Sequence, residues 1–122
     1  MSLKRIMQGD TLLLYKGNDL VLSLEEVQQD EKTIAIKLNG ILNSDALHDF
    51  QDELTALTYL GLDLLIDFES VTYLSSGCVQ VLVDIQQKMD RQGKGHLILR
   101  KMPDALMKEL DSTGASELLD VE

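Results

Sequence analysis

Apolar positions change period along this chain, and the changes mark out its elements. From Thr11 to Gly40 they come in short runs with partial alternation, broken by "KGND" at 16–19 and "QQDEK" at 28–32, which is the pattern of strands joined by turns. Strands are predicted near Leu20–Val27 and Thr33–Leu38, and Thr11–Tyr15 is left open as a further edge strand. Leu47, Phe50, Leu54 and Leu57 then recur at helical spacing, in a segment opened by capping-type Asn43 or Ser44 and closed by Gly61. The opposite face of that helix carries His48, Asp49, Asp52 and Glu53, a solvated side by its composition, with an acidic contact surface as the alternative.

"LDLLIDF" at 62–68 is a nearly continuous apolar run, the pattern of a strand covered on both faces, and "HLILR" at 96–100 is a second such run after the turn "RQGKG". Between them Cys78, Leu82, Ile85 and Met89 form one helical stripe. Strand, helix, strand implies a right-handed crossover and parallel pairing. A last helix is predicted from Pro103 to Gly114, and "SELLDVE" at 116–122 can add one more strand. The sum is an α/β fold, a mixed and mostly parallel sheet with helices packed on it. Residues 20–122 read as one domain, preceded by an extension, 1–19, with no assigned structure.

Composition narrows the function classes. A chain of 122 residues with 44% hydrophobic residues is the size of a single domain with a real core. The net charge of −10, without a dense cluster of lysine or arginine, opposes a phosphate-backbone partner, so nucleic acid is not expected. The single cysteine, Cys78, cannot form an internal disulfide and suits a reducing cytoplasm. No apolar run is long enough to span a bilayer, and "MSLKRIMQGD" lacks the apolar stretch of a secretory signal, so a cytoplasmic protein is expected.

The stretch "YLSSGCVQVL", residues 73–82, sets two serines and a glycine where a strand hands over to a helix. Sites in open α/β sheets gather at such carboxyl ends of strands. A serine there caps the helix, and the open amides and partial positive charge of the helix start also suit a phosphate. Catalysis finds no equipment: a nucleophilic serine needs a base and an oriented third group, and His48 and His96 lie at no recognisable spacing. Two histidines and one cysteine show no metal-ligand spacing, and "RQGKG" is no phosphate loop, so no catalytic residue, metal or cofactor is expected. Val79 and Val83 fall off the stripe of the helix after the serines, placed either for a partner or for packing against a neighbouring helix.

Taken together, "TIAIKLNGILNSDAL", "LDLLIDFESVTYLSSG" and "MKELDSTGASELL" resemble the STAS domains, in particular the bacterial anti-sigma-factor antagonists, over roughly Leu20 to Glu122. The resemblance implies a regulatory binding protein and not an enzyme. Antagonists of this family bind a kinase-type anti-sigma factor through the start of the helix after the serine motif. That kinase phosphorylates the antagonist on the second serine of a D-S-S-G motif, and a phosphatase restores binding. By position the acceptor falls on Ser76, with Ser75 as fallback, and the implied partner surface comprises Asn43, Ser44, Leu74, Ser75, Ser76, Gly77, Val79 and Val83. The acid that usually precedes the serine pair is here Leu74, and a second acid common after the preceding strand is here Asn43. Those two departures favour an alternative, a STAS adaptor without phosphorylation in a signalling or transport assembly.

Overall fold

The computed structural model describes residues 3–122. Its elements run β1 (Lys4–Gln8), β2 (Thr11–Lys16), β3 (Asp19–Gln29), β4 (Thr33–Leu42), α1 (Leu47–Thr58), β5 (Asp63–Leu74), α2 (Ser76–Gln92), β6 (Leu97–Arg100), α3 (Asp104–Thr113), a 3-10 turn at Ala115–Glu117, and β7 (Asp120–Val121). The strands form one sheet in chain order, β1 to β7. β1 to β4 pair antiparallel through tight turns, and β4 to β7 pair parallel, each crossover carried by a helix or, for β7, by α3 and the 3-10 turn. The mixed sheet is therefore shared evenly between the two kinds of pairing.

The N-terminal segment departs most from the sequence reading. Residues 4–16, left without assigned structure or open as an edge, are two strands continuous with the sheet, so a boundary at residue 20 falls just inside β3. The reason lies in the short, partly polar composition of β1, which gives no alternation to read; every residue of it is exposed.

Register shows which face holds the core. Ile34, Leu64 and Leu97 stand in one row, Ile36, Ile66 and Leu99 in the next, and all six belong to a single buried cluster with Phe50, Leu54, Leu82, Met89 and Leu110 of the helices. The intervening rows, Ala35–Leu65–Ile98 and Lys37–Asp67–Arg100, lie outside it. All three helices thus cover the same face. "LDLLIDF" was expected to be covered on both; Leu65, on the row outside the cluster, is nevertheless only 8% exposed. Gly40 permits the close pairing of β3 with β4: at φ +124° it occupies a conformation side chains avoid, and a Cβ there would stand 2.2 Å from the Val21 carbonyl oxygen.

Helix ends follow local chemistry with small differences from expectation. α1 starts at Leu47 with Ala46 as N-cap, not Asn43 or Ser44, but the Ala46 amide donates to Asn43 Oδ1 at 3.1 Å, so Asn43 sets the turn that leads into the helix. Pro103 is the N-cap of α3 and not its first helical residue, and Gly114 ends that helix in the left-handed conformation.

Asp49 corrects the reading of α1. Expected on a solvated face, it is 3% exposed, because the Leu3 backbone and the Arg5 side chain reach over it. Arg5 Nη1 donates to its Oδ1 at 3.1 Å and the Leu3 amide to its Oδ2 at 3.4 Å, while Arg5 Nη2 reaches Glu53. The hydrogen bonds and charge of Glu53 and Asp49 hold the Arg5 guanidinium pKa above its ordinary value. His48 and Asp52 remain exposed, an i,i+4 pair on the surface.

Candidate functional site

The carboxyl ends of β4 and β5 lie side by side, with Leu42 opposite Leu74 in the parallel register. Beyond them the chain turns into α1 and α2, and a few contacts lock the two helix starts together. The Ser75 amide donates to the Leu42 carbonyl at 2.8 Å, and the Cys78 thiol donates to the Asn43 carbonyl at 3.7 Å. Gly77 allows the close approach: a Cβ there would come within 2.6 Å of Leu47 Cδ1.

The two serines divide the work. Ser75 is the N-cap of α2, in an extended conformation, and its Oγ accepts from the Cys78 amide at 3.2 Å. Ser76 is the first residue of the helix and is exposed. Its amide and that of Gly77 lie ahead of the helical ladder, at the positive end of a 17-residue helix whose first turn holds no acidic side chain. The site therefore offers a solvent-facing hydroxyl in a locally positive field.

The remaining candidates separate by burial. Ser44 is exposed, while Asn43, Gly77 and Ser75 are half-buried. Leu74, Val79 and Val83 are 3%, 3% and 6% exposed, so each leaves only a small part of its surface open. The two valines are packed within the core cluster and also line a groove together with Thr113, Ala115 and Leu118. Asn43, in the place of an acid, has its side chain and its carbonyl engaged by Ala46 and Cys78.

Exposed neighbours that the sequence did not single out are Tyr73, at 53%, Gln80, and Leu118, at 60%. Gln80 and Leu118 flank the groove that begins at Ser76. No signal in the sequence marks Leu118, because its proximity to Ser76 arises only from the way α3 and the 3-10 turn fold back on α2. Among the described residues no three histidine, cysteine, aspartate or glutamate side chains gather as a metal site, and no helix is long and apolar enough to cross a membrane.

A family profile described as "Mlab, STAS domain" matches residues 25–120. The anti-sigma-B factor antagonist of Bacillus subtilis (strain 168) is 27% identical over 96 residues, which is 79% of this chain and 87% of that protein. Among solved structures, the anti-sigma factor antagonist SpoIIAA in its unphosphorylated form superposes with a TM-score of 0.67 at 14% identity, covering 81% of this chain and 87% of that one. The phosphorylated form of the Bacillus cell fate determinant SpoIIAA gives a TM-score of 0.61 at 15% identity over 81% and 90% of the two chains. At such identities the structural likeness speaks to the fold.

Proposed function

Because the chain belongs to the STAS domain family and has the fold of its anti-sigma-factor antagonists, we propose that it is a regulatory protein that binds a kinase-type anti-sigma factor and is switched by phosphorylation of Ser76. The observation that carries this reading is the division of labour at α2: Ser75 caps the helix, so the exposed Ser76 hydroxyl has no structural duty and is available for modification.

The physical logic of the switch is local. A phosphate adds about −1.5 to −2 charges and three acceptor oxygens. On Ser76 it meets the open amides of the first turn and no neighbouring acid within that turn, so the domain tolerates it. A partner that must desolvate the same surface does not, and the cost falls on binding rather than on folding. A phosphatase reverses it. Partner contacts are supplied by Ser44, Ser75, Ser76 and Gly77, while Leu74, Val79 and Val83 support them from beneath. No step in this scheme asks the chain to catalyse, and the reading places the work in the cytoplasm, where such kinases act.

One observation favours a second reading. Leu74 and Asn43 leave no carboxylate beside the serines, and both are committed to packing or hydrogen bonding within the fold. A STAS adaptor that binds constitutively in a signalling or transport assembly needs none. Incubation with the kinase-type anti-sigma factor and ATP, followed by intact mass, separates the two. The switch predicts one added phosphate, absent in Ser76→Ala and retained in Ser75→Ala, and loss of partner recovery in Ser76→Asp. Stable binding with no phosphate, from a kinase active on its own substrate, assigns the adaptor role instead.

A further inference from the structure

A second recess lies at the opposite end of the sheet. It opens between the β1–β2 hairpin and the carboxyl end of α1, with Leu12, Leu24, Ile34 and Ile36 as its floor. Its origin is a length mismatch: β4 has 10 residues and extends roughly 34 Å, whereas α1 has 12 and spans about 18 Å. One helix cannot run the whole length of that strand, and the recess is left at the amino end of β4, shallow enough that Leu12, Leu24, Ile34 and Ile36 beneath it are only 4%, 6%, 3% and 5% exposed. From Ile34 in this recess to Leu42 beside Ser75 there are roughly 27 Å of strand, so the two ends can be occupied together.

We propose that this recess docks a basic, leucine-bearing segment of a second protein, which would make the chain a two-sided connector. Two observations specify that occupant. The first is shape and polarity. The cavity holds about 300 Å³, the lower limit of the range for small-molecule sites, about 300–1,000 Å³. Its apolar lining continues outward onto exposed Met7, at 65%, and Leu60, at 48%, where a small ligand would leave it uncovered and an extended protein segment would not. Met7 adds a pliable thioether at the lip, suited to moulding around a side chain.

The second observation is charge. The lip carries Asp10, Glu26 and Glu53. Arg5 serves Glu53 and Asp49, and among the described residues no cation pairs with Asp10 or Glu26. An apolar anchor flanked by lysine or arginine complements that arrangement, and the net charge of −10 steers such a segment toward it. A second copy of this acidic chain would be repelled on approach.

An NMR titration of the intact protein with the acetylated, amidated peptide Lys-Leu-Leu-Arg-Lys tests this, with Glu-Leu-Leu-Glu-Glu as control. Shifts confined to Met7, Leu24, Ile36, Leu60 and their neighbours are expected with the basic peptide alone. The double variant Asp10→Lys with Glu26→Lys, and separately Leu60→Ser, should weaken binding by about tenfold while leaving the rest of the spectrum folded. Binding to Ser76→Asp should equal wild type, so the result is independent of the phosphorylation switch. No shifts, shifts elsewhere, or equal response to the acidic peptide would overturn the proposal. So would sedimentation showing a dimer that dissolves in the lysine double variant, which would give the recess to a second copy.

Discussion

Cys78 shows how one side chain reports on the site it helps to build. It is fully buried beneath the start of α2, with its thiol directed at the Asn43 carbonyl. Burial pushes the thiol pKa above its ordinary value of 9.0, offset in part by the hydrogen bond with Ser75. The native state therefore holds its proton longer than the unfolded chain. As pH rises past 9 the unfolded chain releases the proton first, so the stability tied to this group is complete below that point and is lost above it. Urea midpoints measured between about pH 8 and pH 10.5 should fall more steeply for wild type than for Cys78→Ala. Parallel slopes would mean that the thiol is not desolvated. The native thiol should also react with an aromatic disulfide reagent only as fast as the helix start opens.

The start of α2 is the unit in which structure and regulation meet, and its two serines are separable by stability alone. Ser75→Ala removes the acceptor for the Cys78 amide and should cost about 1 kcal/mol. Ser76→Ala removes an exposed hydroxyl and should stay within about 0.5 kcal/mol. Thermal unfolding of both variants checks this, and equal losses would show that the capping role is shared. The periodicity of 76–92 was enough to place this helix and its stripe, since Cys78, Leu82, Ile85 and Met89 are all buried. It could not place Val79 and Val83, because the answer depends on α3 and the 3-10 turn arriving over them. The same holds for α1, where Asp49 fits a polar face until Leu3 and Arg5 reach over it.

For the whole molecule, the Arg5–Asp49–Glu53 cluster clasps the amino-terminal hairpin to the helical layer. The Arg5 side chain is 43% exposed, so its pairing is partly screened, yet the Asp49 side chain is only 4% exposed and would lose its charged partner. Arg5→Ala should therefore cost roughly 1–3 kcal/mol in urea unfolding and speed hydrogen exchange in β1 and β2. Pairing Arg5→Met with Asp49→Leu should recover most of the loss, as expected when the penalty comes from a stranded buried carboxylate. If the double variant is as unstable as the single one, packing and not charge holds the hairpin. Glu53 of that clasp also lines the recess at the far end of the sheet, so hairpin exchange and peptide docking there should rise and fall together.

The sequence alone determined the α/β class, the three helices, the parallel crossovers and the serine pair at a strand-to-helix junction. These follow from short-range rules: hydrophobic period, capping chemistry and the geometry of a chain that must bury one face of each element. It left β1 unread, because an exposed edge strand has no buried face to impose alternation. Tertiary structure decided that Asp49, Leu74, Val79 and Val83 are buried, that Leu118 and Ser76 line one groove, and that a recess is left at one end of the sheet. Each of these depends on which distant segment arrives over a given side chain, and local pattern carries no record of distance.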